Sequence, residues 1–319
     1  MTVGRLVWPF SLTWAVLLTA APCVFAQPGT PTAGEGTVSV TYQNYYLTGH
    51  YSVDGRKTPN GATHSKAAAI ELDYGLTDRV AITATLPFIA SKYTGPRPSY
   101  FVAGRETFPG LLDDGSYHGA FQDLRLEVRV GMRAGLVALA PLVGVVLPTH
   151  EYETIGEAVP GRNRRELQIG ANAGMLLDPV LPKTYLHVRY ALAAAEIVRG
   201  YPAVRSTIDL EAGRPVTSRL ALRGMAKWQM RHDAPAPDEF FDDWVIHDRF
   251  MVSSFTNLGA GLTVSLTRST ELYAVGMATV SGKFGAHIAR LLTVGVTWSF
   301  GGSFEGFGAA NASRAAGPR

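Results

Sequence analysis

Cysteine is almost missing from this chain of 319 residues; the only one is Cys23. It falls inside an expected leader segment. Cleavage there leaves no residue for a disulfide, a thiolate nucleophile or a Cys-bound metal. Charge is also scarce. Asp, Glu, Lys and Arg make up 17% of the chain, below the quarter usual for soluble domains. The formal net charge is only +3 and no basic run is present, so nothing marks a nucleic-acid partner. Disorder is excluded by the 46% of hydrophobic residues, and a coiled coil by 34 Gly and 19 Pro. Beyond the leader there is no long apolar run. The longest uncharged stretch, Ala134 to Thr149, is shorter than the roughly 20 residues of a spanning helix and contains Pro141. Also missing are G-x-S-x-G, a P-loop, a dinucleotide glycine fingerprint and metal-ligand spacing among the eight His. The expectation is a protein without cofactor, metal or catalytic residue.

The first 26 residues read as an export signal. Arg5 gives a positive start, Leu6 to Ala21 an apolar core, and Val24-Phe25-Ala26 a cleavage site before Gln27. Pro22 before Cys23 makes a poor lipoprotein site.

What remains is dominated by period two. In Leu124 to Met132 the even positions are Leu124, Leu126, Val128, Val130 and Met132, against Asp123, Arg125, Glu127, Arg129 and Gly131. A helix would scatter those charges round its surface, whereas a strand puts them on one face. Val80 to Phe88, Leu220 to Trp228 and Leu292 to Phe300 repeat the pattern.

Twelve such segments are expected, over 37–47, 64–76, 79–91, 119–132, 136–147, 165–177, 184–194, 204–214, 218–230, 250–266, 270–280 and 286–300. Most reach or exceed the ~9–11 residues of a tilted membrane strand. The connections alternate. Long ones fall at 48–63, 92–118, 148–164, 195–203 and 231–249, with a much shorter one at 281–285. Short ones fall at 77–78, 133–135, 178–183, 215–217 and 267–269. An even strand number, short turns at one rim and long loops at the other mark an antiparallel transmembrane β-barrel of outer-membrane type. Tyr74, Phe88, Tyr190, Trp228, Trp298 and Phe300 lie near segment ends, where a membrane interface favours aromatic rings. The layout is then a leader (1–26), a short periplasmic segment (27–36), the barrel (37–300) and a Gly/Ala/Ser-rich tail (301–319). The outer membrane is the expected location and its lipid the expected surrounding.

Glu71-Leu72-Asp73-Tyr74-Gly75-Leu76-Thr77-Asp78-Arg79-Val80 followed by Leu86-Pro87-Phe88 resembles the first hairpin of the "MetA-pathway of phenol degradation" family. Gln122-Asp123-Leu124-Arg125-Leu126 resembles that family's G-D-L strand start, with Gln122 in place of Gly. The resemblance implies an exported barrel acting as an outer-membrane channel or transporter, and carries over no catalytic residue.

Charges facing lipid cost about 2–4 kcal/mol each at the midplane, so the charged faces must point inward. The expected lumen residues are Glu71, Asp73, Asp123, Arg125, Glu127, Arg129, Glu166, His187, Arg189, Asp209, Glu211, Arg219, Arg223 and Lys227. They either guide a solute or form a self-neutralised wall. A turn centred between Pro215 and Val216 pairs Asp209 with Ala221 or Arg223, and Glu211 with Arg219 or Ala221. Phe240, Phe241, Asp242, Asp243 and Trp244 make an acidic, aromatic mouth loop, read either as a solute-capturing lid or as a solvated surface. The function expected is passive passage of a small, aromatic or weakly polar solute. Two alternatives stand beside it: a barrel-borne lipid hydrolase using His50 and Ser52, and a structural surface barrel with a plugged lumen.

Overall fold

The structure is a computed structural model that describes residues 30–95, 100–102, 105–107, 111–178, 180–234 and 247–302. The expected leader, nearly all of the tail and the mouth-loop residues Phe240, Phe241, Asp242, Asp243 and Trp244 lie outside them.

The chain opens with β1 (Gly36–Tyr51), β2 (Lys57–Gly75) and β3 (Val80–Thr94). Short strands β4 (Tyr100–Val102) and β5 (Arg105–Thr107) pair only with each other. Then come β6 (His118–Phe121), β7 (Leu124–Val130), β8 (Met132–Ala134), β9 (Val137–Leu147), β10 (Glu166–Leu176), β11 (Tyr185–Val198), β12 (Tyr201–Pro215) and β13 (Leu220–Asp233). A single helical turn, α1 (His247–Phe250), precedes β14 (Ser254–Ser265), β15 (Thr270–Lys283) and β16 (Gly285–Phe300). Each long strand pairs antiparallel with its sequence neighbour, and β1 pairs with β16 from Gly36↔Phe300 to Tyr51↔Gly285. The result is a closed antiparallel barrel of twelve strands. β6 and β8 are short extensions beside β3 and β9.

Closure gives the period-two pattern its meaning. Val40, Tyr42, Ile70, Leu72, Val128, Val143, Ile169, Tyr190, Leu222, Leu258, Leu272 and Leu292 are exposed on the outside. Ser39, Thr41, Arg129, Asn172, Arg205, Arg223, Thr263 and Thr293, of the opposite parity, are buried inside. An apolar surface outside a polar interior is the reverse of a water-soluble fold and matches a wall bathed in lipid. Tyr74, Trp298 and Phe300 cluster near the short-turn end of this belt, with ring centroids 5.4 and 6.2 Å apart.

Three of the short turns use one chemical device. In 76–79, 216–219 and 266–269 an apolar residue is followed by Thr, whose hydroxyl accepts backbone N–H groups from two or three residues ahead. Leu76, Val216 and Leu266 donate their N–H across the turn to Val80, Leu220 and Thr270. This side-chain mimicry of a backbone turn fixes the register of each hairpin. The N-terminal segment tucks beneath the same rim. Gly34 donates to Gly75 O at 3.0 Å and Ala33 to Asp78 Oδ1 at 3.1 Å. A side chain at Gly75 would strike Thr32 O, so the close approach requires glycine.

All twelve expected strands are present, but the connections differ from expectation. The opposite rim keeps long connections from β3 to β7, from β9 to β10 and from β13 to β14, while the expected long loops at 48–63 and 195–203 are tight hairpins turning at 52–56 and 199–200. β1, β2, β11 and β12 run on past the lipid belt, so polar residues taken for loop are strand. The segment expected at 119–132 is broken at Gln122 and Asp123, where Gln122 donates its N–H to Pro87 O.

Phe300 sits on the closing seam, its ring lying against Gly36 of β1. Phe300→Ala should therefore lower the yield of closed barrel severalfold. The readout is the faster-migrating band of unheated samples on a gel, which should be strong for the unaltered protein.

Candidate functional site: a charged lumen under folded loops

The inward parity of β2, β7 and β10–β13 brings charges of both signs together. Glu166 takes a two-point contact from Arg205, at 2.6 and 2.8 Å, and a third bond from Gln168 at 2.6 Å. Glu127 is gripped by Arg189 at 2.6 and 3.1 Å, and Arg189 also donates to Asn172 at 3.3 Å. Arg129 pairs with Asp73, which also accepts from Thr83 at 3.0 Å. Glu211 holds Arg223 through Nε at 3.0 Å and a second, shorter contact, and Tyr185 donates its hydroxyl to the same carboxylate. Lys227 and Asp209 meet at 2.9 Å. Planar guanidinium against carboxylate is the strongest neutralising geometry available to side chains. It lets these charges be confined without an unpaired ion.

Glu71 and Arg125 stand outside this pairing. Glu71 of β2, Thr85 of β3 and Arg125 of β7 are register partners in one row. Among the described residues Glu71 accepts only from Thr85, at 2.8 Å. Among the described residues Arg125 makes neither an ion pair nor a hydrogen bond. Both line a lumenal cavity of ≈ 180 Å³, together with His187, whose Nε2 has no hydrogen-bond partner.

The facing wall is chemically different. β14, β15, β16 and β1 turn Asn257, Tyr273, Val275, Met277, Leu291, Thr293, Gln43 and Tyr45 inward. Tyr273 lies over Gly295, its register partner, and on the charged wall Tyr185 of β11 lies over Gly213 in the same way. A Cβ at either glycine would fall within 2.4 Å of a tyrosine hydroxyl, so the rings lie along the wall rather than across the bore.

The long-loop rim is covered from within. Residues 154–164 fold inward, with Ala158, Val159, Arg162 and Arg164 buried. Ala158 and Val159 pack on Tyr93 and Leu112, and Val252 on Ala203 and Ala234. Arginines stitch the loops together through main-chain carbonyls. Arg162 donates to Met251 O at 3.0 Å, Arg164 to Arg249 O at 2.8 Å and to Tyr201 O at 3.1 Å, and Arg249 to Asn163 O at 3.0 Å. Asp113 accepts from the N–H groups of Glu157 and Ala158. Burial pushes the Asp248 carboxyl of α1 up to about 7, opposed by Arg162 and reinforced by Asp113.

Among the residues expected in the lumen, Glu71, Arg125, Glu127, Arg129, His187, Arg189, Asp209, Glu211 and Lys227 line the cavity. Asp73, Glu166 and Arg223 sit in the ion pairs beside it. Asp123 is drawn to the loops, accepting from Tyr152 at 2.6 Å. Arg219 is a correction: it lies exposed in the 216–219 turn, outside the lumen. The hairpin register is a second correction. The Thr217 turn centres later than expected, so Asp209 faces Lys227 and Glu211 faces Met225, and the arginine of Glu211 is the diagonal Arg223. Arg205, Tyr185 and Asn172 belong to the network but not to the expected set. Arg205 has the parity of Asp209 and Glu211 in the same strand, and that signal was available. His50 and Ser52 form no catalytic pair: Ser52 is engaged by Asp54 and the Arg56 carbonyl, while His50 faces Glu157 at 3.8 Å.

Among solved structures the chain is similar to an outer membrane channel from Pseudomonas putida F1, with a TM-score of 0.61 and 16% identity over 86% of this chain and 98% of that one. The fold is that of an outer-membrane barrel. More distant likenesses are the translocator domain of the autotransporter NalP from Neisseria meningitidis (TM-score 0.46, 12% identity, 85% and 90% of the two chains) and the NanC porin (TM-score 0.46, 7% identity, 82% and 100%). No family model matches the sequence, and no curated protein does.

Removing one partner of a confined pair strands the other. Glu211→Gln should cost about 3 kcal/mol in denaturant unfolding from lipid vesicles, and Glu211→Gln with Arg223→Met should recover most of it. Lys227→Met, in a wetter pair, should cost about 1 kcal/mol or less.

Asp248 gives a pH dependence of definite sign. Its folded value lies above the ordinary one, so the packed loop holds its proton between about pH 4 and 7 while a released loop does not. Loop packing is therefore strongest in acid and weakens as pH rises through about 7. Amide-exchange protection of 154–164, corrected for the intrinsic rate, should fall between pH 5 and pH 8, and Asp248→Asn should abolish the fall.

Proposed function

We propose that the barrel is a narrow outer-membrane channel for passive passage of a small solute with one polar and one aromatic or apolar face. The observation that carries this reading is the two-sided lumen. Glu71, Arg125 and His187 keep unused polar capacity on one wall, while Tyr45, Tyr273 and Met277 belong to the other. A wholly self-neutralised wall would leave no such groups free, and an open aqueous pore has no need of the tyrosine and methionine that stand among the polar residues of the facing wall. Tyrosine ring faces and thioethers accept aromatic solutes. The resemblance of residues 71–88 and 122–126 to the phenol-degradation family accords with this and directs the choice of phenolic test solutes. The protein would reach its membrane by export, with cleavage after Ala26.

Planar-bilayer recording tests the proposal. Conductance should be small and partly blocked by millimolar phenolic acids. Arg125→Gln should shift ion selectivity toward cations and Glu71→Gln toward anions, each without loss of barrel stability. Lumenal charges that left selectivity unchanged would contradict a conducting path past them.

A further inference from the structure

The lipid-facing wall carries one feature foreign to it. Arg290 of β16, Tyr46 of β1, His64 of β2 and Lys92 of β3 are successive register partners across four neighbouring strands. Their parity is that of Leu292, Tyr42, Ile70 and Phe88, which form the outer belt directly beneath. Lys66 lies on the same face of β2, one outward position nearer the belt. The Arg290 guanidinium lies 5.1 Å from the Tyr46 ring centre, and the Tyr46 and His64 rings are 4.5 Å apart. The ammonium groups of Lys66 and Lys92 lie 4.7 and 5.0 Å from the centre of one ring, that of Tyr117. In the lumen nearly every cation has its carboxylate. Here, among the described residues, Arg290, Lys66 and Lys92 have none. Like charges are gathered on one patch and left uncompensated by the protein.

The height of the patch says what could compensate them. From Trp298, at the short-turn end of the belt, to Arg290 the strand climbs about 20 Å along the membrane normal, taking ~3.4 Å per residue and ~40° of tilt. That is close to the ~25 Å apolar band of such barrels. The row therefore stands where hydrocarbon ends and head groups begin, on the rim of the long loops. We propose that this face of β16–β1–β2–β3 is a binding site for the phosphate groups of the anionic glycolipid of the outer leaflet. Guanidinium and ammonium groups donate to phosphate oxygens, while the rings of Tyr46 and Tyr117 hold the cationic heads in place. The proposal rests on the lipid belt and is independent of what the lumen conducts.

The test uses full-length barrel refolded in detergent, with the heat-modifiable gel band as the control for folding. Lys66→Gln, Lys92→Gln and Arg290→Gln are combined; all three side chains point away from the lumen. Native mass spectrometry then measures retention of bisphosphorylated lipid A, its dephosphorylated form and phosphatidylglycerol. The unaltered barrel should retain the bisphosphorylated lipid at least tenfold better than either of the others, and the triple variant should lose that advantage. Equal retention by barrel and variant would overturn the proposal. So would equal retention of the dephosphorylated lipid, which would mean acyl chains alone are recognised. Equal retention of phosphatidylglycerol would also overturn it, because the patch would then read negative charge of any source.

Discussion

A backbone that crosses lipid has no water to bond with, so every N–H and C=O must find its partner within the wall. Everything else in this molecule depends on that requirement. It is met by the pairing of β1 with β16, which joins the two ends of the described barrel and removes both sheet edges. Once the sheet is closed it has an inside and an outside, and a shift of one residue in any strand would turn charges into hydrocarbon. The threonine turns at 76–79, 216–219 and 266–269 set the register of their hairpins. Their local bonds and the parity of the long strands thus enforce the same answer.

The interior solves a second problem, confining many charges in a narrow space. It does so by unequal pairing. Arg205 with Glu166, Arg189 with Glu127 and Arg223 with Glu211 are rigid, multiply bonded units that act as scaffold. Glu71 and Arg125 are separated by the width of Thr85 and stay available. The same wall therefore contains both structural charges and charges free to act, distinguished by the number of bonds each makes rather than by position along the bore. Opposite them Gly295 lets Tyr273 lie flat along the wall, and Gly213 does the same for Tyr185 beside Glu211.

Much of this could be read from the sequence, and for a physical reason. Alternation is a property of each strand by itself, so Leu124 to Met132 declared its own inside and outside. The closed fold and nearly all of the charged wall followed. What depends on contacts between distant segments was not legible. The ends of β1, β2, β11 and β12 carry the polar residues of a loop and became strand only because their hairpin partners extend as far. Arg162 and Arg164 fall at the end of the expected loop 148–164, and nothing local shows that residues 154–164 fold inward. The Asp209 partner was misplaced because the turn centre depends on which Thr closes it. Phe240 to Trp244 fall outside the described residues, and the sequence alone speaks for them.

The way the covering loops are held has a consequence for divergence. Arg162, Arg164 and Arg249 grip main-chain carbonyls of Met251, Arg249, Tyr201 and Asn163, not their side chains. A carbonyl is supplied by any residue, so the neighbours of these clamps can be exchanged without loosening them. The side chains of these loops can thus drift while three guanidinium groups keep the cover in place. Related chains would then be expected to keep arginine at these positions amid loops that share little else.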